Sequence, residues 1–383
     1  MRITHLDVRN WRNFKLIDVP VGERLFVLGP NASGKSNFFD SLRFLHDIVA
    51  DGGGLAAAMD RRGGMSRVRN LAARNYNKGL VKLSMTLGTA DEPSAWTYEL
   101  QLGGTGGVVR SERVWKGEDQ QSVLSRPNDE DRDDPERLTQ TALEQVNSNK
   151  EFRPVADYLR ALKYVNPAPQ MIREAQPLAT GSAEFGQDLI RTIAQTNKRE
   201  QGRRLKAINR ALAQAVPQLS ELKIEKDDDG RPHLVAGYEH WRGKKAWQDE
   251  SDFSDGTLRL IAILWALMER REGGLTLLLE EPEISLHEEL VQQLPRIFWK
   301  ISKSTEAQVI VTTHARSLLE EESGLGADEI MLLEPSSEGT NASIAGERAE
   351  VMAALRSQIS LGEILHDELS PKQLRLFGDR FLQ

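Results

Sequence analysis

The chain has 383 residues, 39% of them hydrophobic and 28% charged, which is enough apolar material for a large core and too much for wholesale disorder. At ~150 residues per domain the length suggests two or three units. The longest apolar run, 260–268, is about half of the ~18 residues a membrane span needs, and the opening MRITHLDVRNWRNF holds no apolar signal core, so a cytoplasmic protein without membrane contact is expected. Cysteine is absent, which excludes disulfides and thiolate metal sites, and the net charge of −7 excludes a uniformly basic surface while leaving room for a local basic patch.

The first 30 residues read as two or three strands. Ile3, Leu6 and Val8 mark one, 14–19 a second, and Leu25, Phe26, Val27 and Leu28 form a continuous buried run. A Gly-rich turn follows, then a helix from Ser36 whose apolar residues Phe38, Leu42, Leu45 and Val49 recur at helical spacing. The stretch 51–79, with Arg61, Arg62, Arg67, Arg69 and Arg74, reads as a flexible basic segment. Strands return at 81–87, 96–102 and 108–115, and Gly103, Gly104, Gly106 and Gly107 turn the last hairpin. The charged stretch 128–136 reads as a mobile loop, and 138–163 and 184–215 as helical. Three prolines in 166–177 predict a largely extended path between them. A second hairpin spans 222–238 and turns at Asp228-Asp229-Gly230. Helix and strand then alternate: helix 258–271, strand 275–279, helix 288–303, strands 309–313 and 330–333. That order predicts an α/β fold with a parallel sheet and covering helices. The blocks 1–50 and 251–335 read as two halves of one nucleotide-binding sheet. Residues 1–125 are assigned to its first half with an antiparallel β subdomain, 126–220 to a helical insertion, 221–345 to its second half, and 346–383 to a helical tail.

Gly29, Pro30, Asn31, Ala32, Ser33, Gly34, Lys35 and Ser36 fit G-x-x-x-x-G-K-[ST], a phosphate loop (P-loop), between an apolar strand and a helix. The glycines let the backbone curl so that its N–H groups face a phosphate, and the helix adds its positive end. Lys35 would reach the β- and γ-phosphates, and the Ser36 hydroxyl would ligate Mg²⁺. Asn37 joins this nucleotide-binding set. A second signal, LTLLLEEPE, ends a buried strand in carboxylates at the edge where such sheets place their ligand. Glu280 is assigned to the metal and Glu281 to the general base that polarises the attacking water. Taken alone, the segment reads equally well as a solvated acidic turn. A third signal, Phe253 to Thr257, opens a helix with Ser254 as N-cap, and a helix start bearing Ser and Gly is also an anion site. It stands 27 residues before Glu281, and His314 follows 33 residues after it, at the end of VIVTT.

In this order the motifs resemble those of an ABC-type ATPase head. FSDGTLRLIAIL, LLLEEPEISLH and VIVTTHARSLL are similar to the RecF, SMC and OLD-type ATPases, and ITHLDVRNWRNFKLIDVP followed by LFVLGPNASGKSNFFDSLRFL looks RecF-like. The resemblance covers about 130 residues at the two ends of the chain. It implies a P-loop NTPase fold and a head-to-head homodimer with two ATP molecules and Mg²⁺ in its interface. Each ATP would sit on the 29–36 loop of one copy and be closed by Ser254, Asp255 and Gly256 of the other. Glu281 would be the catalytic base, His314 the γ-phosphate sensor, and 283–287 the loop crossing the dimer axis. Arg12 and Asn13, with Arg9, fall where the family's N-terminal strand turn approaches the nucleotide. Two features depart from the family: Glu280 stands where Asp is usual, and the glutamine loop, which would add Gln170 to the metal ligands, has no clear position.

Two roles follow. One is a RecF-like ATPase acting on DNA in genome maintenance; the other is a regulatory ATPase in phage defence that controls a separately encoded nuclease, toxin or protease. About 50 residues after 330–333 are too few for an OLD-type nuclease domain, so any cutting is expected of another chain. The alternative is a slow-turnover, ATP-gated scaffold with no direct DNA role, which Glu280 would permit. Two basic groups, 61–74 and Lys198 to Arg210, read equally as DNA contacts or as solvated faces. Trp241 and Trp247, with Arg242, Lys244 and Lys245 between them, are a weaker candidate for base stacking.

Overall fold

A strand that is apolar at every position must be covered on both faces, because successive side chains point to opposite sides of a sheet. The computed structural model, which describes residues 1–70, 79–174, 183–213, 216–239, 245–320 and 323–366, bears this out at β3 (Arg24–Leu28). Leu25 and Val27 face one core with Phe38, Leu42 and Leu45, and Phe26 and Leu28 face the other with Leu258, Leu264 and Leu294. The parallel strands β12 (Thr276–Glu280), β13 (Gln308–Thr313) and β14 (Ile330–Ser336) divide in the same way: Leu278, Ile310 and Met331 enter the first core, and Leu277, Val309 and Ile330 the second. Each fully buried side chain of this size contributes roughly 1.5–3 kcal/mol.

The antiparallel strands are not a separate sheet. They are β1 (Arg2–Trp11), β2 (Phe14–Pro20), β4 (Val81–Gly88), β5 (Trp96–Gly103), β6 (Val108–Lys116) and β7 (Gln121–Arg126). With β8 (Lys163–Val165) and β15 (Gly339–Ile344) they complete one 12-stranded sheet in the order β7-β6-β5-β4-β1-β2-β15-β14-β3-β13-β12-β8. β9 (Leu219–Lys226), β10 (Pro232–Tyr238) and β11 (Ala246–Gln248) form a second, three-stranded sheet. The helix Lys35–Val49 covers the first face of the parallel block, and Asp255–Leu267 and Glu288–Thr305 cover the second.

Several local expectations give way. The charged stretch at 128–136 is ordered by a capping box: Asn128 caps the helix Asp129–Asp133, and the buried Asp131 accepts two hydrogen bonds from Arg126, at 2.8 and 2.9 Å. Of 138–163, only Arg153–Ala161 is α-helix, and Lys163–Val165 pairs with β12. The proline-bearing stretch is not extended throughout, because Pro169 starts a one-turn helix, Pro169–Arg173, where its missing N–H costs nothing. Within 51–70 there are two short helices, Leu55–Asp60 and Met65–Val68, and Arg62 is buried between Asp40 and Asp47, so this part of the basic segment is built in. Arg74, Trp241, Arg242 and Lys244 lie outside the described residues.

Candidate functional site

The 29–36 loop leaves β3 at the carboxyl edge of the parallel strands and turns into the helix Lys35–Val49. Its path uses left-handed backbone at Ala32 (φ 64°) and Gly34 (φ 103°). Gly34 is required for a second reason, since a Cβ there would stand 2.2 Å from the Asn13 amide. That amide braces the loop from behind: Asn13 Nδ2 donates to the Ser33 carbonyl at 2.9 Å and to Thr340 Oγ1 at 2.8 Å, and Asn37 Nδ2 donates to Asn13 Oδ1 at 2.7 Å. Arg12, itself at φ 49°, donates through Nε to Asp40 at 2.7 Å. Asn13 therefore acts on the loop's backbone, Asn37 holds the Asn13 amide in place, and the Arg12 guanidinium is tied to the flank of the following helix.

Lys35 folds back over the loop, its ammonium donating to the carbonyls of Gly29 (2.9 Å) and Pro30 (3.3 Å). Burial lowers its pKa below the usual lysine value, while Glu281, Glu283 and Glu280 pull the other way. The Ser33 hydroxyl is wholly buried and has no hydrogen-bond partner.

Opposite the loop, β12 ends at Glu280. Ser36 Oγ donates to Glu280 Oε1, and the Tyr164 hydroxyl donates to Oε2, where Asn166 Nδ2 also approaches at 3.5 Å. Burial, and then the adjoining Glu280, push the Tyr164 phenol up. Glu281 sits in the left-handed region at φ 42°, uncommon for a residue with a side chain, and its N–H donates to the Thr312 carbonyl at 2.9 Å. This places its carboxylate 3.3 Å from His314 Nδ1. The buried Glu283 accepts from Thr313 Oγ1 at 2.7 Å and from the His314 N–H at 3.2 Å, and its second oxygen has no partner.

The helix Asp255–Leu267 begins with Ser254 as its cap, Oγ accepting from the Thr257 N–H at 3.2 Å. Gly256 lies against the next loop so closely that a Cβ would meet the Ser285 carbonyl at 2.3 Å. Asp255 is paired with Arg173 at 2.7 Å. Arg259, one turn on, is buried and joins three pieces of the site: its guanidinium donates to Asn166 Oδ1 (2.9 Å) and to the carbonyls of Pro167 (3.1 Å), Glu280 (3.2 Å) and Glu281 (3.1 Å). Among the described residues no hydrogen bond joins 254–256 to the 29–36 loop.

The chain thus brings together Ser36, Glu280, Glu281 and His314 beside Lys35. Gln170 stands apart: it is exposed on its short helix and makes no hydrogen bond to Ser36 or Glu280. The amide that reaches Glu280 is Asn166. Tyr164 and Asn166 lie outside the motifs, and Arg259 lies within FSDGTLRLIAIL but is given no role there; their sequence signals are the three-residue strand KYV beside the acidic strand and an arginine inside an otherwise apolar helix face.

The residues fit a magnesium nucleotide. Gly29 and Gly34 let the loop curl where a Cβ would collide with Ser33 Oγ or the Asn13 amide, and the Ser33 hydroxyl is an unused buried polar group within it. A hydroxyl touching a carboxylate is a hard-oxygen donor pair, the type that holds Mg²⁺ together with waters and substrate phosphates. Among the described residues no three His, Asp or Glu side chains form a protein-only metal cage.

Residues 25–320 match the family model described as "AAA domain, putative AbiEii toxin, Type IV TA system". The chain belongs to this AAA family. Its fold is that of an SMC-like ATPase head. An SMC head described as bound to the C-winged helix domain of ScpA aligns with a TM-score of 0.59 and 15% identity, over 91% of this chain and 99% of that one. A head with an extended coiled coil from Pyrococcus furiosus, bound to the C-terminal domain of ScpA, aligns at 0.50 with 14% identity, over 93% and 99%. One from Pyrococcus yayanosii aligns at 0.50 with 12%, over 93% and 99%. No match was found among curated proteins. The family and the fold are those of nucleotide-binding ATPases. Among the described residues no helix is long and apolar enough to cross a membrane.

Proposed function

We propose that this AAA protein binds ATP with Mg²⁺, hydrolyses it, and uses ATP-dependent pairing of two copies to regulate a separate protein effector. The observation that carries the reading is the meeting of Ser36, Glu280, Glu281 and His314 at one sheet edge, next to the lysine of the phosphate loop. When bound, Mg²⁺ supplies charge neutralisation on the β- and γ-phosphates, and Ser36 and Glu280 are the residues to hold it. The 29–36 backbone and Lys35 bind the phosphates. Glu281 accepts the proton of the water that attacks the γ-phosphorus, and His314, 3.3 Å away, orients that carboxylate.

Pairing of copies is supported by the placement of Ser254, Asp255 and Gly256. They form a helix start with an exposed serine and no bond to their own phosphate loop, so a second copy's nucleotide can be closed by them. A protein effector is favoured over direct DNA contact. The family description speaks of a toxin in a toxin–antitoxin system, and two of the SMC heads are described in complex with a protein, both of which support a protein effector. In addition, Arg62 is buried in ion pairs, and Arg203 and Arg204 are both paired with Glu200, which leaves less free positive charge for DNA.

The test is nucleotide binding, phosphate release and mass in solution. Wild-type protein is expected to release phosphate from ATP with Mg²⁺, and Glu281→Gln to retain ATP and run as a dimer. A Glu281→Gln protein that stays monomeric with ATP and Mg²⁺ removes the pairing, ATP bound without phosphate release leaves the scaffold reading, and salt-sensitive DNA binding restores a role on DNA.

A further inference from the structure

Glu280 has both carboxylate oxygens engaged within the chain, Oε1 by Ser36 and Oε2 by Tyr164. A glutamate has one more rotatable bond than an aspartate, so a fixed direction for its carboxylate must be imposed from outside. Tyr164 is itself fixed. The Arg43 guanidinium lies 4.0 Å from its ring centroid, Phe39 packs edge-on at 6.2 Å, and Arg43 is held by Glu184 at 2.7 Å. Arg43 and Phe39 belong to the helix Lys35–Val49, the helix whose first turn carries Ser36. One helix therefore delivers a hydroxyl to one oxygen of Glu280 and sets the position of the phenol that reaches the other.

We propose that Tyr164 is a positioning residue that aims the Glu280 carboxylate at the nucleotide's Mg²⁺, and that its hydroxyl, rather than its ring, does so. The proposal rests on the magnesium-nucleotide reading above and goes beyond it. Packing against Arg43 and Phe39 belongs to the ring, which phenylalanine keeps. The hydroxyl donates to Glu280 and accepts a longer bond, 3.4 Å, from Asn166 Nδ2, which itself approaches Glu280, so both of its contacts converge on that carboxylate and bear on nucleotide binding through the metal.

The experiment measures binding of a fluorescent ATP analogue against Mg²⁺ concentration and in EDTA. The proteins are wild type, Tyr164→Phe, Glu280→Asp and the double variant, with melting temperatures recorded for each. Tyr164→Phe is expected to need about tenfold more Mg²⁺ for half-maximal binding, the scale of one hydrogen bond to a charged group, with unchanged affinity in EDTA. Glu280→Asp withdraws the carboxylate from the phenol and is expected to show a comparable loss. The double variant should be no worse than Glu280→Asp alone, because the same contact is deleted only once. An unchanged Mg²⁺ half-point in Tyr164→Phe, an equal loss in EDTA, or losses that multiply in the double variant would overturn the proposal. Arg43→Gln, which keeps the hydroxyl but loosens the ring, is the second variant if Tyr164→Phe fails to fold. A two- to threefold rise in the half-point is expected from it, and no rise counts against the proposal. A wild-type protein that binds the analogue in neither condition overturns the nucleotide site itself, whereas Mg²⁺-dependent wild-type binding with an unshifted Tyr164→Phe overturns Tyr164's role alone.

Discussion

The two ends of the large sheet treat their buried polar groups differently. At the antiparallel end, Glu112 is fully buried and fully employed: it accepts from Tyr98, Arg126 and the backbone N–H groups of Ala142 and Leu143. Arg126 passes on to Asp131, and Asp131 also accepts the Asn128 N–H. At the carboxyl edge of the parallel strands, the Ser33 and Thr312 hydroxyls and one Glu283 oxygen are buried without partners, and Ala32, Glu281 and Ser285 all hold left-handed backbone. Unpaired groups and strained backbone each cost on the order of 1–3 kcal/mol, and they persist where the surroundings enforce them. Ser111 Oγ in β6 is also buried without a partner, but the Glu112 cluster is satisfied within the chain, whereas the edge that carries the 29–36 loop gathers its open groups around one place, as suits something that is to be bound.

Mutations at the two ends should therefore separate binding from stability. The largest effect is expected from Lys35→Ala, which removes the charge over the phosphate loop. Nucleotide binding measured by calorimetry should fall below detection while the melting temperature stays near that of wild type, and retained affinity would break the contrast. At the other end, Arg126→Ala leaves Glu112 and Asp131 buried and uncompensated, and should lower stability by about 3–5 kcal/mol in a urea titration, with normal ATP affinity in the molecules still folded.

Acid sharpens the same point. The Arg126 guanidinium beside Asp131 holds its carboxyl down at about 2. Because the folded value lies below the unfolded one, the contribution is complete above pH ~4 and is lost as pH falls toward 2, a difference of ~2 kcal/mol. Asp131→Asn should therefore be less stable than wild type at pH 6, and the gap should narrow steadily from pH 4 to pH 2. Relief of strain is a smaller effect with an opposite sign: Glu281→Gly should raise stability by about 1 kcal/mol while phosphate release is lost. The smallest change is expected from Ser254→Ala. Loss of the cap should cost about 1 kcal/mol, with turnover falling more than ATP affinity, and unchanged turnover would take Ser254 out of the reaction.

The parallel core was legible because its strands carry continuous apolar runs, such as LFVL and LLL, and its phosphate loop carries a spacing that few other structures need. The pairing across the whole sheet was not. β8 is three residues long, and β15 reads GTNASI, with no apolar alternation to mark it; both owe their conformation to the strands beside them. The 128–136 stretch misled because its charges look solvated, whereas Asp131 is buried by a partner that precedes it in β7. For the site, the motif residues themselves were readable. The roles of Tyr164, Asn166 and Arg259 were not, because 164–166 and the helix bearing Arg259 lie apart from each other and from Glu280 in sequence, and only the folded chain brings them together there.

β3 ends with the residues that launch the phosphate loop, and both of its neighbours in the sheet, β13 and β14, come from the far end of the chain. During synthesis the strand must wait for some 280 residues to emerge, which at 5–20 residues per second is about 15–60 s with an adhesive, unpaired segment on display. Ribosome-bound fragments that stop short of residue 308 should accordingly be clients of chaperones, and the nucleotide pocket should be among the last features of the newborn protein to take shape.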